Sequence, residues 1–483
     1  MISFNNKVLI IGYGAVSRCA LPILVKHLDV PLSNITIIDF EDKAAELEPW
    51  TAKGVKFVRE RVTEQNLPAL LSSHVAKGDV IIDLAWCIEA CDVLKWCHDN
   101  GVLYINTSVE EWDPQEGMTE NTAFEKSLYF RQMKIRELVK PWPKGSPTAV
   151  LDHGANPGLI SHFVKKALVD IAEKLLAEGK VTEQKAADLR KYLKDNKFNY
   201  LSRELGVKVI HCSERDTQVT NRPKEVDEFV GTWSIEGLRE EGTAPAELGW
   251  GTHEKTLPGL AVIPPTGPKN QIFLARMGIN TYVRSWIPDQ EIVGMVIRHG
   301  EAFGLSDRLT VWNGRKALYR PTVHYAYMPC HETLSSLWEL QARYYEMQPS
   351  IRILYDEITS GEDILGALVM GHPYGSWWCG TILGIDEARK LVPHQNATTI
   401  QVAIGVVSAL CWMVENPNKG VCLPDDLPHE YILKIAEPYL GKLVSVQSSW
   451  TPLKNRKIFF MENPQCKADE DDPWQFRNFE LLP

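Results

Sequence analysis

Residues 7–39 constrain this chain more than any other stretch. An apolar strand, Val8–Ile11, runs into Gly12-Tyr13-Gly14-Ala15-Val16-Ser17; a helix follows, and a second apolar strand ends at Asp39. A strand, a glycine loop, a helix and a second strand closed by an acid form a βαβ unit that binds a dinucleotide. Gly12 permits the tight turn, and Gly14 lets the backbone approach a pyrophosphate. The helix then aims its free N–H groups and its dipole at the phosphate charge. Ser17 stands where the motif's third glycine would let helix and strand pack closely. Asp39, placed to accept from ribose hydroxyls and to repel a 2′-phosphate, favours NAD over NADP.

The alternation of strand and helix continues with strands expected at 55–58, 79–86, 102–106 and 148–151. A helix is expected over 90–100, ended by Gly101, and a basic helix over 127–140. The fold expected is α/β: a Rossmann-type parallel sheet domain plus a second α+β domain on a largely antiparallel sheet. Beyond a solvated helical insertion at 175–200, strand candidates at 207–216, 229–234, 272–277, 281–286, 292–298 and 309–312 follow one another without crossover helices. The apolar helix at 397–414 is expected to return to the nucleotide domain. The domains expected are therefore 1–155 for NAD, 156–385 as an inserted substrate and dimerisation domain, and 386–483 returning to the first.

Composition excludes some partners. With 62 acidic against 52 basic residues the net charge is −10, which disfavours nucleic acid and anionic membrane. The start MISFNNKVLIIG leads straight into the first strand, so a cytoplasmic protein is expected. The ten cysteines include Cys87, Cys91 and Cys97, placed on one expected helix with His98. No CxxC pair occurs, so reduced thiols and no metal are expected.

The second domain's most distinctive stretch is GTWSIEGLREEG (231–242), followed by AELGWGTHE (246–254). An indole face attracts a cation, and carboxylates such as Glu236 and Glu241 pair with ammonium N–H donors. The plainer alternative is a core tryptophan beside a wet acidic loop. His299 ends an expected strand and suits proton transfer, although a structural role is as compatible with its position. His153, beside the Asn-Pro-Gly turn, could equally hold that turn.

The segments GYGAVS, DHGANPG (152–158), TWSIEG with PAELGWGTHE, and NATTIQV (396–402) together resemble the bacterial homospermidine synthases of the saccharopine dehydrogenase-like group. That resemblance implies bound NAD and the joining of two putrescines, or spermidine plus putrescine, with release of ammonia or diaminopropane. The hydride is borrowed and returned, so net oxidation is zero. The resemblance assigns catalysis to Trp233, His299, Glu214 and Asn156, and substrate binding to Glu89, Glu110, Glu236, Glu241 and Asp363. Glu89 stands where an aspartate is expected. Cofactor contacts are expected from residues 12–17 (Gly12, Tyr13, Gly14, Ala15, Val16, Ser17) and Asp39, with Ala85, Thr107, His153, Gly154, Ala155, Asn156, Asn396 and Thr398. A homodimer is also implied. Two alternatives remain at this point: a saccharopine or carboxynorspermidine type of dehydrogenase, with Arg276, Arg284 and Arg298 as possible carboxylate ligands, and a non-catalytic NAD-binding sensor.

Overall fold

Short apolar runs bounded by turns form the first sheet. The computed structural model describes residues 1–113, 120–457, 459–460, 462 and 468–481. Strands β1 (Val8–Ile11), β2 (Ile35–Asp39), β3 (Lys56–Arg59), β4 (Val80–Asp83), β5 (Leu103–Asn106) and β6 (Ala149–Val150) pair in parallel in the order β6-β5-β4-β1-β2-β3. Val421–Cys422 adds a seventh strand beside β6. β1, β2, β4 and β5 are buried throughout, which is why they read as continuous apolar runs. The chain moves outward from β1 through β2 and β3, then resumes on the other side with β4. The carboxyl edge between β1 and β4 is thus a topological switch point, where open α/β sheets bind ligands.

Helix α1 (Ala15–His27) starts at Gly14 and packs on α2 (Ala397–Glu415). Among the described residues α2 alone is long and apolar enough to cross a membrane. Here it is buried, touching α1 and strands of both sheets. Asn396 caps it, its side chain accepting from Thr399 N.

Among the described residues the second sheet has eleven strands around a parallel central pair, Val209–Asp216 beside Thr322–Met328. Glu362–His372, Gly375–Gly384 and Lys442–Ser448 extend it antiparallel on one side, and Pro245–Gly249, Gln271–Met277 and Ala261–Val262 on the other. The hairpin Tyr282–Ile287/Gln290–Met295 joins through Met295 and Tyr327. The register sets Glu214 opposite both Tyr327 and Leu365, and Asp216 opposite Asp363. Because side chains alternate along a strand, Glu214, Asp216, Tyr325, Tyr327 and Asp363 share one face.

Several expectations change. Of the stretch 386–483, helix α2 and Val421–Cys422 go with the first sheet, whereas Lys442–Ser448 and Glu480–Leu481 join the second. Cys87 lies outside the helix Ala90–Asn100, in a left-handed conformation at φ +62°. The acidic stretch 469–472 is partly anchored: Asp469 pairs with Lys255 at 2.5 Å and Asp472 with Lys208 at 3.0 Å. Phe476 and Phe479 bury the segment that follows.

Candidate active site

The glycine loop meets the requirements of a dinucleotide cradle. Gly12 adopts φ +86°, and a Cβ there would stand 3.0 Å from the Leu84 carbonyl. Around Gly14 the space is open to 4 Å, so a ligand can reach the backbone at the start of α1. Ser17 compensates for the missing glycine: its buried hydroxyl donates to the Gly12 carbonyl at 2.5 Å and tightens the loop. Asp39 is buried and accepts from Tyr13 N at 2.6 Å and Glu41 N at 2.8 Å, which fixes a negative charge at the end of β2. An open helix start and an acid at the ribose position suit NAD.

Beside this loop, a cleft of about 140 Å³ lies between the sheets. Val16, Ala85 and Thr107 line it from the nucleotide side, Gly154, Ala155 and Asn156 from the turn after β6, and Thr398 from α2. Crowded glycines shape that turn. A Cβ at Gly158, which adopts φ +134°, would lie 2.1 Å from the Gly154 carbonyl, and one at Gly405 would lie 2.0 Å from the same oxygen. The α2 backbone therefore sits directly against the turn and presses Asn156 toward the second sheet.

There Asn156 Nδ2 donates to Glu214 Oε2 at 2.6 Å and also to the Tyr325 hydroxyl, which itself donates to Glu214. Burial lifts Glu214 to about 7 despite these donors. Trp233, half-buried, fixes its ring by donating Nε1–H to the Tyr327 hydroxyl at 2.9 Å, and Tyr327 stacks on Tyr325 at 5.3 Å. His299 lies behind this layer. Its Nδ1 meets Glu301 Oε2 at 2.6 Å, its ring centre is 4.8 Å from that of Tyr325, and its Nε2 is buried without a hydrogen-bond partner among the described residues.

The opposite wall holds a concentrated set of carboxylates. Burial first, and Glu240 second, raise Glu110 to about 8; its Oε1 accepts from Ser108 at 2.6 Å, while Oε2 is buried with no hydrogen-bond partner among the described residues. Glu241 lines the cleft with its pKa pushed well up by burial, only partly opposed by Arg298. Glu240 differs. Burial pulls it upward, but Arg298 and Arg131 outweigh that and hold it at about 2.

The structure thus brings Asn156, Glu214, Trp233, Glu110 and Glu241 to one cleft with Val16, Ala85, Thr107, Gly154, Ala155 and Thr398. Other expected site residues lie apart from it. Glu89 stands just before the helix Ala90–Asn100, without a side-chain capping bond, and Glu236 occupies the first turn of α3 (Ile235–Thr243); neither lines the cleft. His153 is fully buried with its Nε2 3.0 Å from that of His162, so it holds the turn. Asn396 donates to the carbonyls of Thr232 and Leu354 and thereby fixes the approach to Trp233. Asp363 is buried behind Thr398, which donates to it at 2.6 Å. Trp86, Ser108 and Tyr325 were missed from sequence. The i, i+2 spacing of Tyr325 and Tyr327 in TVHYAYM was the available signal for a strand face.

Residues 8–150 match the family described as saccharopine dehydrogenase NADP binding domain, and residues 154–448 the saccharopine dehydrogenase C-terminal domain. The homospermidine synthase of Blastochloris viridis is 38% identical over 488 residues, covering 98% of this chain and 97% of that protein. That of Mesorhizobium japonicum is 38% identical over 485 residues, covering 98% and 96%. The crystal structure of the homospermidine synthase from Legionella pneumophila in complex with NAD superposes with a TM-score of 0.87 at 38% identity, covering 100% of this chain and 99% of that one. Saccharopine dehydrogenase from Saccharomyces cerevisiae shares the fold at 13% identity, with a TM-score of 0.52 over 92% of this chain and all of that one. The chain belongs to the homospermidine synthase family.

Proposed function

We propose that this enzyme makes homospermidine from two putrescines, or from spermidine and putrescine, releasing ammonia or diaminopropane. The observation that carries this reading is the cleft's charge inventory. Glu110, Glu214 and Glu241 line it, each raised by burial, beside the face of Trp233. Such a cleft fits a flexible dication. Each ammonium returns a carboxylate to its charged form, and the indole stabilises positive charge without attacking it.

A dehydrogenase acting on amino acids would instead need free cations for α-carboxylates. The candidate arginines are all committed: Arg276 to Glu480 at 2.7 Å, Arg284 to Glu291 at 2.7 Å and to two backbone carbonyls, and Arg298 to Glu240.

Residues 12–17, Asp39, Ala85 and Thr107 would hold NAD, which when bound supplies a hydride acceptor and then a hydride donor. Asn156 orients the reacting amine beside Glu214. Glu214, poised at about 7, takes a proton from that amine at Oε1 and returns one, with the Tyr325 hydroxyl and Asn156 bonded to its Oε2 and His299 behind it. Trp233 stabilises the iminium. Glu241 and Glu110 draw in the distal ammonium. The first sheet with α2 serves as the NAD body and the second sheet as the substrate body. We take the working molecule to be a cytoplasmic homodimer with no nucleic-acid or membrane partner, testable by light scattering.

The decisive experiment incubates the enzyme with putrescine and substoichiometric NAD and quantifies homospermidine, ammonia and NADH. Homospermidine in molar excess over NAD, without net NADH, is expected. Stoichiometric NADH would favour a dehydrogenase, and no product at all a sensor.

A further inference from the structure

Three residues after β4, Trp86 lines the cleft from the nucleotide side. It is 38% exposed, yet its indole Nε1 donates to Glu240 Oε2 on the opposite wall at 3.1 Å. Two independent features fix this bridge. Cys87, the next residue, is held at φ +62°, a left-handed conformation that a residue with a Cβ adopts only when its surroundings impose it. Glu240 is held by Arg131 and Arg298, which arrive from different elements.

The bridge also reaches the helix that carries the substrate wall. A Cβ at Gly237 would lie 3.3 Å from Trp233 Cζ3, so Trp233 rests on the first turns of α3. Gly237 and Glu241, one turn apart, both face the cleft. Trp233 and Trp86 therefore meet α3 at successive turns, with Glu241 beside them.

We propose that Trp86 is a gate: a second aromatic wall closing over the diamine, latched by its hydrogen bond to Glu240, that keeps water from the imine until the acceptor amine arrives. The inference rests on the homospermidine reading. The competing reaction balances simply. Oxidation of the donor leaves a C=N bond, with its two electrons on the cofactor. Water then attacks the carbon, the nitrogen leaves as ammonia, and 4-aminobutanal and reduced cofactor remain. With the gate closed, the acceptor amine takes the place of water and the electrons return.

Trp86→Phe keeps a ring and removes the donor, whereas Trp86→Ala removes both. With putrescine and excess NAD, homospermidine is measured by chromatography, NADH by absorbance, and the aldehyde, as its cyclised imine, by trapping with 2-aminobenzaldehyde. Trp86→Phe, which loses only the latch, is expected to raise NADH and aldehyde per homospermidine by about tenfold, the ratio matching loss of one hydrogen bond to a charged acceptor. Trp86→Ala, which loses the ring as well, should raise it further. Thermal melts confirm folding, and Trp86→Phe decides the matter if the alanine variant does not fold. A wild-type ratio in the folded variants, whatever their turnover, overturns the gate, because a merely structural lesion lowers both products alike. A wild-type enzyme that makes no homospermidine overturns the underlying reading and the gate with it.

Discussion

Protonation of the cleft's carboxylates should govern how the enzyme responds to pH. Glu110 sits at about 8, chiefly because it is buried and secondly because Glu240 lies near; Glu214 sits at about 7, chiefly through burial. At pH 7 the first carries its proton about nine-tenths of the time and the second about half. A diamine dication gives these carboxylates charge partners, and a return toward the ordinary 4.5 would empty both sites. Binding at neutral pH should therefore expel about one proton per diamine, and at most about one and a half from this pair. Calorimetry of putrescine binding in buffers of different ionisation enthalpy reads that number from the slope. In parallel, kcat/KM should climb from about pH 6 to about pH 8 and then flatten, and Glu110→Gln should lose the upper part of the climb. The stability effect has a definite sign. The folded enzyme binds more protons than the unfolded chain between 4.5 and about 8, so these groups make the free enzyme less stable as pH rises through that window. Putrescine should accordingly raise Tm more at the alkaline end. No proton release together with a flat pH profile would refute the reasoning that burial leaves these carboxylates without a cation.

Removing the indole by Trp233→Ala should cost on the order of 2 kcal/mol of cation stabilisation, about thirtyfold in turnover, with NAD still bound by calorimetry; undiminished turnover would take Trp233 out of the mechanism. Asn396→Ala removes a helix cap and two donors to buried carbonyls, so a loss of about 2–4 kcal/mol in denaturant melts is expected with little change in NAD affinity. A large affinity loss at unchanged stability would return Asn396 to the cofactor. Asp39→Ser keeps an acceptor but drops the charge, and should narrow the preference for NAD over NADP by at least about tenfold, read from paired binding titrations.

The first sheet was legible because its central strands are buried on both faces and read as unbroken apolar runs between glycines, with Gly101 at φ +71° ending a helix where expected. The second sheet was harder. Val209–Asp216 forms where a strand was expected, but its end carries Ser213, Glu214, Arg215 and Asp216, whose burial against partners on other elements the sequence alone does not show. Pro245–Gly249 was read only as part of the polar pocket block. It is a strand, and its fully buried Glu247 accepts from Leu128 N at 2.6 Å, at the start of a helix far off in sequence. The motif-bearing residues of the cleft were legible because their residue types match a chemistry. Glu236 and Asn396 share those types, and only backbone geometry separates them from the site. Trp86 and Tyr325 lie outside the glycine-rich blocks, and their role depends on pairing across elements.

The chain passes between the two sheets three times, from β6 to Val209–Asp216, from Gly375–Gly384 to Val421–Cys422, and from there to Lys442–Ser448. A protease that nicks one of these connections leaves two others intact, with α2 still wedged between the halves. Such fragments should travel together under native conditions and part only in denaturant. For the same reason, neither sheet with its helices can be excised as one continuous piece, and tags or fusions are better placed on surface loops than at a dividing point between the two.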